Sequence, residues 1–180
     1  MKKTIIHSTP FGPVALVWSL FNAHPFIVRV ILSRPSFSAY AEVLRLFPMA
    51  EFSSCAEIDT AGIDIRAFLN GHDVEFDLGI AHLDSCSLFQ QEVLRAEYGI
   101  PRGCVSTYGV IAAQIGRPGA ARAVGNALAA NPFPIIVPCH RVIRSDMSIG
   151  GYQGGPDMKL RLLEAERPLK NTQFNQCPAI

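Results

Sequence analysis

The sequence predicts an α/β protein of the α+β kind. A small antiparallel sheet with helices comes first, followed by a helical, winged-helix-like part that carries a helix-turn-helix. Three observations lead there. Short β-rich runs broken by Pro, Gly and Asn fill the chain up to residue 32. From residue 87 onward the apolar residues recur at helical spacing. Within that half, two short helical runs are separated only by Gly116-Arg117-Pro118-Gly119.

Thr4–Ser8 reads as a strand, closed by the turn signal Thr9-Pro10-Phe11-Gly12-Pro13. Val14–Ser19 is a second strand, and Phe26–Leu32 a third that alternates around Arg29. Ala39–Phe47 has helical spacing at Val43, Leu44 and Phe47, and Ala61–Leu69 is a second helix stopped by Asn70-Gly71. Val74–Leu78 is expected to be a short strand, and Asp84–Ser87 to be a boundary. Ser87–Glu97 places Leu88, Val93 and Leu94 on one helix face and ends at Gly99-Ile100-Pro101. Thr107–Ile115 and Ala120–Ala130 form the helix-turn-helix, and Pro156–Glu166 the last helix. The organisation expected is an N-terminal domain over residues 1–84, a C-terminal domain over 85–170 and a tail over 171–180.

With 180 residues, 49% of them apolar, the chain is long enough for a real core in one ordinary domain or two small ones. Apolar runs such as Val14–Trp18 and Phe26–Val28 fall far short of the ~20 residues of a membrane span. Met1-Lys2-Lys3 is not followed by a signal-peptide core, so a cytoplasmic location is expected. The five cysteines (Cys55, Cys86, Cys104, Cys139, Cys177) are odd in number and none has CxxC spacing, which argues against a disulfide framework or a zinc site. Net charge is +1, but it is unevenly spread: residues 1–84 hold six Lys/Arg against nine Asp/Glu, and residues 101–170 hold nine against four. The basic half suggests an anionic partner.

The second helix of the pair is unusual. Ala120–Ala130 carries six alanines and a single charge, Arg122. Alanine favours the helix and leaves a smooth face. That face suits either tight packing within its own domain or close approach to nucleic acid, with Arg122 as the one long probe and Arg117 at the turn reaching phosphate.

Residues 131–143, NPFPIIVPCHRVI, are stiffened by three prolines and bury Ile135, Ile136 and Val137, yet they hold Cys139, His140 and Arg141 in a row. A free thiol is only a few per cent ionised near neutral pH, and an adjacent base raises that fraction. His140 is the candidate base. Side chains of consecutive extended residues diverge, so a bridging water or a turn at Pro138 is needed. A carboxylate of the last helix, Glu164 or Glu166, is available to orient the imidazole.

PCHRVI after NPFPIIV, with GYQGG close behind, resembles the O6-alkylguanine-DNA alkyltransferase family, the methylated-DNA–protein-cysteine methyltransferases. The resemblance runs from about Phe89 to Glu166 and takes in Tyr108, RPGAARAVGNAL and the K…LLEAE run; it is looser over the N-terminal hairpins. It implies irreversible, single-turnover repair of double-stranded DNA containing O6-alkylguanine, by a monomer that uses no cofactor. Cys139 is implied as the alkyl acceptor, His140 as its base through water, and Glu166 as the carboxylate orienting the histidine. Asn131 is implied to brace the turn between recognition helix and active segment, and Tyr108 to meet the guanine ring and supply a proton to the leaving base. Arg122 is implied to take the place of the extruded nucleotide, with Arg117, Gly109, Ala121 and Ser145 at the DNA surface. Tyr152 belongs to the implied pocket wall, and the Val142 carbonyl and Gln153 backbone lie where the family reads the guanine edge.

The physical logic agrees. A base must leave the stack before a buried thiol can reach it, and a helix of small residues suits the minor groove. There are departures from the pattern. The N-terminal part lacks the Cys and His set that binds zinc in some members, so no metal is expected. Cys104 and Ser106-Thr107 vary the stretch before Tyr108, and Arg167 stands where glycine commonly follows the glutamate. Rival readings are a non-transferring alkyl-base binder, which would lack the thiol of Cys139, a Cys-His hydrolase, which would need an oxyanion hole, and a thiol-sensing regulator, for which no effector segment is visible.

Overall fold

The computed structural model describes residues 2–166 and the strand pair 175–176. Two compact units emerge. The first holds Met1–Ser85 together with Pro132–Ile136; the second holds Cys86–Asn131 and the chain from Val137 onward.

The first unit is built on a four-stranded sheet of order β3-β2-β1-β4. β1 is Lys3–His7, β2 Val14–Phe21 and β3 His24–Leu32, paired antiparallel in sequence. Asn22 and Ala23 join β2 to β3 with φ of 50° and 65°, the two left-handed residues of a tight hairpin whose twist matches the strands. β4, Glu51–Phe52, adds parallel to β1; at two residues it is too short to show in the sequence. Val14–Ser19 is buried without alternation, as expected of a strand covered on both faces. Helix α1, Ala39–Leu46, is capped by the Ser38 hydroxyl and packs Ala39 and Val43 against Ala15, Val17 and Ile31. Helix α2 runs over Ala56–Leu69, five residues earlier than its periodicity suggested, because Glu57 and Asp59 mask the buried Ile58. The Trp18 indole donates to the Ser53 carbonyl at 2.9 Å.

Val74–Leu78 is not a strand. It has no ladder partner, and Asp77 instead accepts from the Gly79 amide at 2.7 Å, starting a 3-10 turn over Leu78–Ile80. An Asp side chain that satisfies a nearby backbone donor competes with strand pairing.

In the second unit, α3 (Leu88–Tyr98) is capped by Ser87 and α4 (Tyr108–Gln114) by Thr107. Helix α5 spans Ala121–Ala129. Gly116 and Gly119, at φ of 71° and 91°, make the turn between α4 and α5. The three helices pack together, and α6 follows at Pro156–Glu166. A three-stranded sheet of order β6-β5-β7 lies beside them, formed by β5 (Cys104–Thr107), β6 (Val142–Ile143) and β7 (Asn175–Gln176), all in parallel. Val105, Ile143 and Leu163 form its core. Of the expected tail 171–180 only β7 is described; Arg167 and Cys177 lie outside the described residues. No helix among the described residues is long and apolar enough to cross a membrane.

The chain leaves the second unit after Asn131 and returns at Val137. The excursion is buried, and the Val30 amide donates to the Pro132 carbonyl at 2.7 Å. Ile135 sits at φ 77°, a left-handed conformation that costs a β-branched residue about 1–3 kcal/mol and persists only because its surroundings enforce it.

Candidate active site

Two parallel strands bring the site together. β5 runs straight into α4, so its last residue, Thr107, caps the helix that begins with Tyr108. β6 begins immediately after the 3-10 turn Cys139–Arg141. In this parallel pair Ser106 lies opposite Val142, where the thiol turn enters β6, and Thr107 lies opposite Ile143, one residue further on, where α4 begins.

The geometric difficulty of an extended Cys-His pair is resolved by a turn at Pro138. With φ −81° and ψ 62°, Pro138 is the centre of an inverse γ-turn, and the Cys139 amide donates to the Val137 carbonyl at 2.9 Å. The Asn131 side-chain amide donates to that same Val137 carbonyl at 3.2 Å and also hydrogen-bonds the Cys139 sulfur, favouring the thiolate. Asn131 thus clasps both ends of the 132–136 excursion. The Gln153 amide reinforces the clasp by donating to the Asn131 carbonyl at 2.6 Å.

Cys139 carries a free thiol and is 6% exposed. Burial, then the charge of Glu97, pushes it up to about 12. His140 is fully buried, and its Nε2 lies 2.9 Å from Glu166 Oε1. Glu166 has a second partner: Arg141 forks onto it, Nη2 to Oε1 at 2.8 Å and Nε to Oε2 at 2.9 Å, and Arg141 Nη1 donates to the Ile100 carbonyl at 2.6 Å. Burial raises the Glu166 carboxyl, but the bonds from His140 and Arg141 outweigh it and bring it to about 2. His140 is lowered, by burial first, against the pull of Glu166. The resulting state is an ionised carboxylate neutralised by Arg141 and a neutral imidazole, the form of histidine that can accept a proton.

Tyr108 is half-buried against Gly125 of α5, and its hydroxyl lies where a side chain at Gly150 would intrude, at 3.1 Å. Burial, then the charge of Cys139 and Glu97 against that of Arg144, raises its phenol. Tyr152 meets the His140 ring edge-on at 6.3 Å, and its phenol is likewise held well up by burial. The Val142 carbonyl accepts from Lys159 Nζ at 2.7 Å. On α5, Val124, Ala127 and Leu128 face the core, which leaves Arg122, Ala123 and Asn126 exposed. Arg117 is exposed but engaged, 2.9 Å from Glu92 and over the Phe89 ring. Gly109 and Ser145 are exposed and Ala121 half-buried, none of them in the thiol cluster. No group of three or more His, Cys, Asp or Glu able to hold a metal occurs among the described residues.

Sequence reasoning missed three charged members of the site: Arg141, Lys159 and Glu97. The signal for two of them was periodicity. Lys159 shares the buried face of α6 with Leu162, Leu163 and Glu166, and Glu97 shares that of α3 with Val93 and Leu94.

Comparison with known proteins agrees with this architecture. The family model described as 6-O-methylguanine DNA methyltransferase, DNA binding domain, matches residues 88–168. A methylated-DNA–protein-cysteine methyltransferase of Methanothermobacter thermautotrophicus is 50% identical over 102 residues, 57% of this chain and 57% of the relative. One from Mycobacterium leprae is 50% identical over 57% of this chain and 61% of the relative, so these two alignments span less than two thirds of either relative. One from Mycolicibacterium paratuberculosis is 43% identical over 133 residues, 74% of this chain and 73% of the relative. The crystal structure of Mycobacterium tuberculosis O6-methylguanine methyltransferase superposes with a TM-score of 0.70 at 32% identity, over 96% of this chain and 97% of that one. Mycobacterium tuberculosis OGT in complex with DNA gives 0.64 at 34% identity, over 92% of each chain. With a relative 43% identical across 73% of its length, and a solved structure matched over nearly its whole length, the chain belongs to the methylated-DNA–protein-cysteine methyltransferase family.

Proposed function

We propose that this protein repairs DNA by direct reversal, moving an alkyl group from O6 of guanine in double-stranded DNA to Cys139, once per molecule. The observation that carries the reading is the buried thiol held by Asn131 next to a neutral His140 that is anchored through Glu166 to Arg141. The relatives' name, methylated-DNA–protein-cysteine methyltransferase, describes the same chemistry, and the DNA complex of a homologue supports a DNA partner.

In this reading the base is extruded from the stack and enters the site. His140 takes the thiol proton through a water, by way of Nδ1, since Nε2 is held by Glu166. The sulfur attacks the alkyl carbon, the S–C bond forms and the C–O6 bond breaks. Tyr108 gives its proton to the leaving guanine and is restored by the proton that His140 took, so that overall the thiol proton replaces the alkyl group on the base. Val142 and the Gln153 backbone read the guanine edge, and Tyr152 closes the pocket. A thiol that rests near 12 is almost wholly protonated at neutral pH, which is why a base at hand matters. The product thioether is not reversed by water, so the protein acts as a monomeric acceptor and does not turn over.

The test is intact mass. Protein incubated with an oligonucleotide duplex containing O6-methylguanine is expected to gain one methyl group, mapped to Cys139 by peptide digestion. An unmodified Cys139 in protein that has bound the duplex would overturn the reading.

Arg122 is the proposed filler of the gap left by the flipped base. Arg122→Ala should then slow transfer at saturating duplex by about 10²-fold, the equivalent of about 3 kcal/mol of unstacking. With the free base O6-benzylguanine, which needs no flipping, the variant should match the parent. Equal loss on both substrates would remove the role.

A further inference from the structure

The end of α5 is closed from outside the helix. It has no basic residue in its last turn and no left-handed glycine after it, two features that commonly satisfy helix-end carbonyls. Those carbonyls lack intrahelical partners, and here two glutamines from other elements supply the donors. Gln90 of α3 places its side-chain amide between the Ala127 and Ala130 carbonyls, at 3.1 and 3.2 Å. Gln153 places its own between the Ala129 and Asn131 carbonyls, at 3.3 and 2.6 Å. The Leu128 carbonyl accepts from the Asn131 backbone amide at 3.1 Å. Every carbonyl from Ala127 to Asn131 thus has a donor, and each glutamine engages both of its amide hydrogens.

The two glutamines join α5 to different things. Gln90 ties it to α3, a neighbour in the helical body. Gln153 ties it to the reacting segment. It follows Tyr152, which meets the His140 ring. Its 2.6 Å bond goes to Asn131, whose side chain holds both the Val137 carbonyl and the Cys139 sulfur. One amide group therefore joins the helix that carries Arg122 to the turn that carries the thiol. Carbonyls accept only from a donor, so a side chain of the same length without N–H cannot make this link.

We propose that the Gln153 side chain holds the recognition helix α5 in register with the alkyl pocket, so that a base extruded at α5 arrives at the Cys139 sulfur. The inference rests on Cys139 being the alkyl acceptor and on α5 meeting the duplex. Gln153 is a positioning residue in this role: its side chain acts through Ala129 and Asn131, separately from the guanine-edge reading by its backbone. Transfer from a duplex requires the surface that docks and the pocket that reacts to be aligned, and a misplacement on the order of 1 Å costs up to about 10²-fold in rate. A free base enters the pocket without using α5, so it is less sensitive to that alignment.

The test compares two single-turnover rates of Cys139 alkylation in the whole protein, one at saturating O6-methylguanine duplex and one with free O6-benzylguanine. Gln153→Met keeps the length of the side chain and removes both donors. It should lower the duplex rate more than the free-base rate, so that their ratio falls about tenfold. Gln90→Met opens the same helix end on the α3 side; it should lower the melting temperature yet keep the ratio within about twofold of the parent. An unchanged ratio in Gln153→Met, with both rates and the melting temperature falling together, would mean that the amide only supports the fold and would overturn the proposal. An equal fall of the ratio in Gln90→Met would overturn it too, since any loosening of the helix end would then suffice. If Gln153→Met does not fold, Gln153→Ala is judged by the same ratio. Failure of the transfer reading looks different: the parent protein itself then leaves Cys139 unmodified by either substrate.

Discussion

Cys139→Ala is expected to abolish alkyl transfer, a loss of at least about 10³-fold in the single-turnover rate, while duplex binding stays at the parent level. Among the described residues Cys139 is the one buried thiol; Cys55, Cys86 and Cys104 are half-buried. Cys104 lies on β5 and Cys86 just ahead of α3, and neither is among the groups that Cys139, Tyr108 or Tyr152 sense. The sulfur is small and already neutral in the resting protein, so its removal should change stability by only about 1 kcal/mol. Binding is separable because the exposed face of α5, with Arg122, contributes no side chain to the thiol turn. Methyl loss from an O6-methylguanine duplex and gel-shift affinity, measured on the same preparation, check both halves. Full-rate transfer by the alanine variant would sink the assignment.

Glu166→Gln is expected to be the most damaging conservative change to the fold of the site. The carboxylate accepts from His140 and twice from Arg141, and the Arg141 side chain is only 12% exposed. Removing the charge leaves a guanidinium that is largely buried and unpaired, at a cost of about 3 kcal/mol. Transfer should also slow, by about 10²-fold, because the one acceptor oxygen of glutamine must be shared between His140 Nε2 and Arg141, which loosens the hold on the imidazole ring. The pH dependence gives the sign. The folded-state value of Glu166 lies below that of a free carboxyl, so its stabilising contribution is fully present above pH 4.5 and is lost as pH falls toward about 2. The gap in stability between parent and variant should therefore be constant near neutrality and close across that acidic window. Urea unfolding at a series of pH values measures it. A gap that widens in acid would mean that Glu166 is not the ionised partner of Arg141.

Much of this was legible without coordinates. The hairpins, the paired helices around Gly116 and Gly119, and the last helix all follow from local signals: turn residues, caps and apolar periodicity. What escaped was non-local. β4 and β5 hold two and four residues, and β5 finds its partner β6 far along the chain, so neither could show as a periodic run. Val74–Leu78 looked like a strand but lacked a neighbour to pair with, and a strand exists only in its ladder. α2 began early because charges in its first turn hid its apolar face.

The site divides in the same way. By itself the sequence determined which side chains are available for the chemistry: the thiol and imidazole behind Pro138, the tyrosine opening α4, the single arginine on a helix of small residues and the glutamate ending α6. These lie in short runs whose spacing carries their meaning. Only the tertiary structure decided their electrical state. That Glu166 belongs to Arg141 as much as to His140, that Lys159 reaches the Val142 carbonyl, and that Glu97 lies buried in the field of Cys139 depend on α3, α6 and the thiol turn meeting in space. The reason is dielectric. A charge in water is screened within a few ångströms of its neighbours, whereas in a dry cluster each group resets the protonation of the next, and burial is a property of the assembled fold.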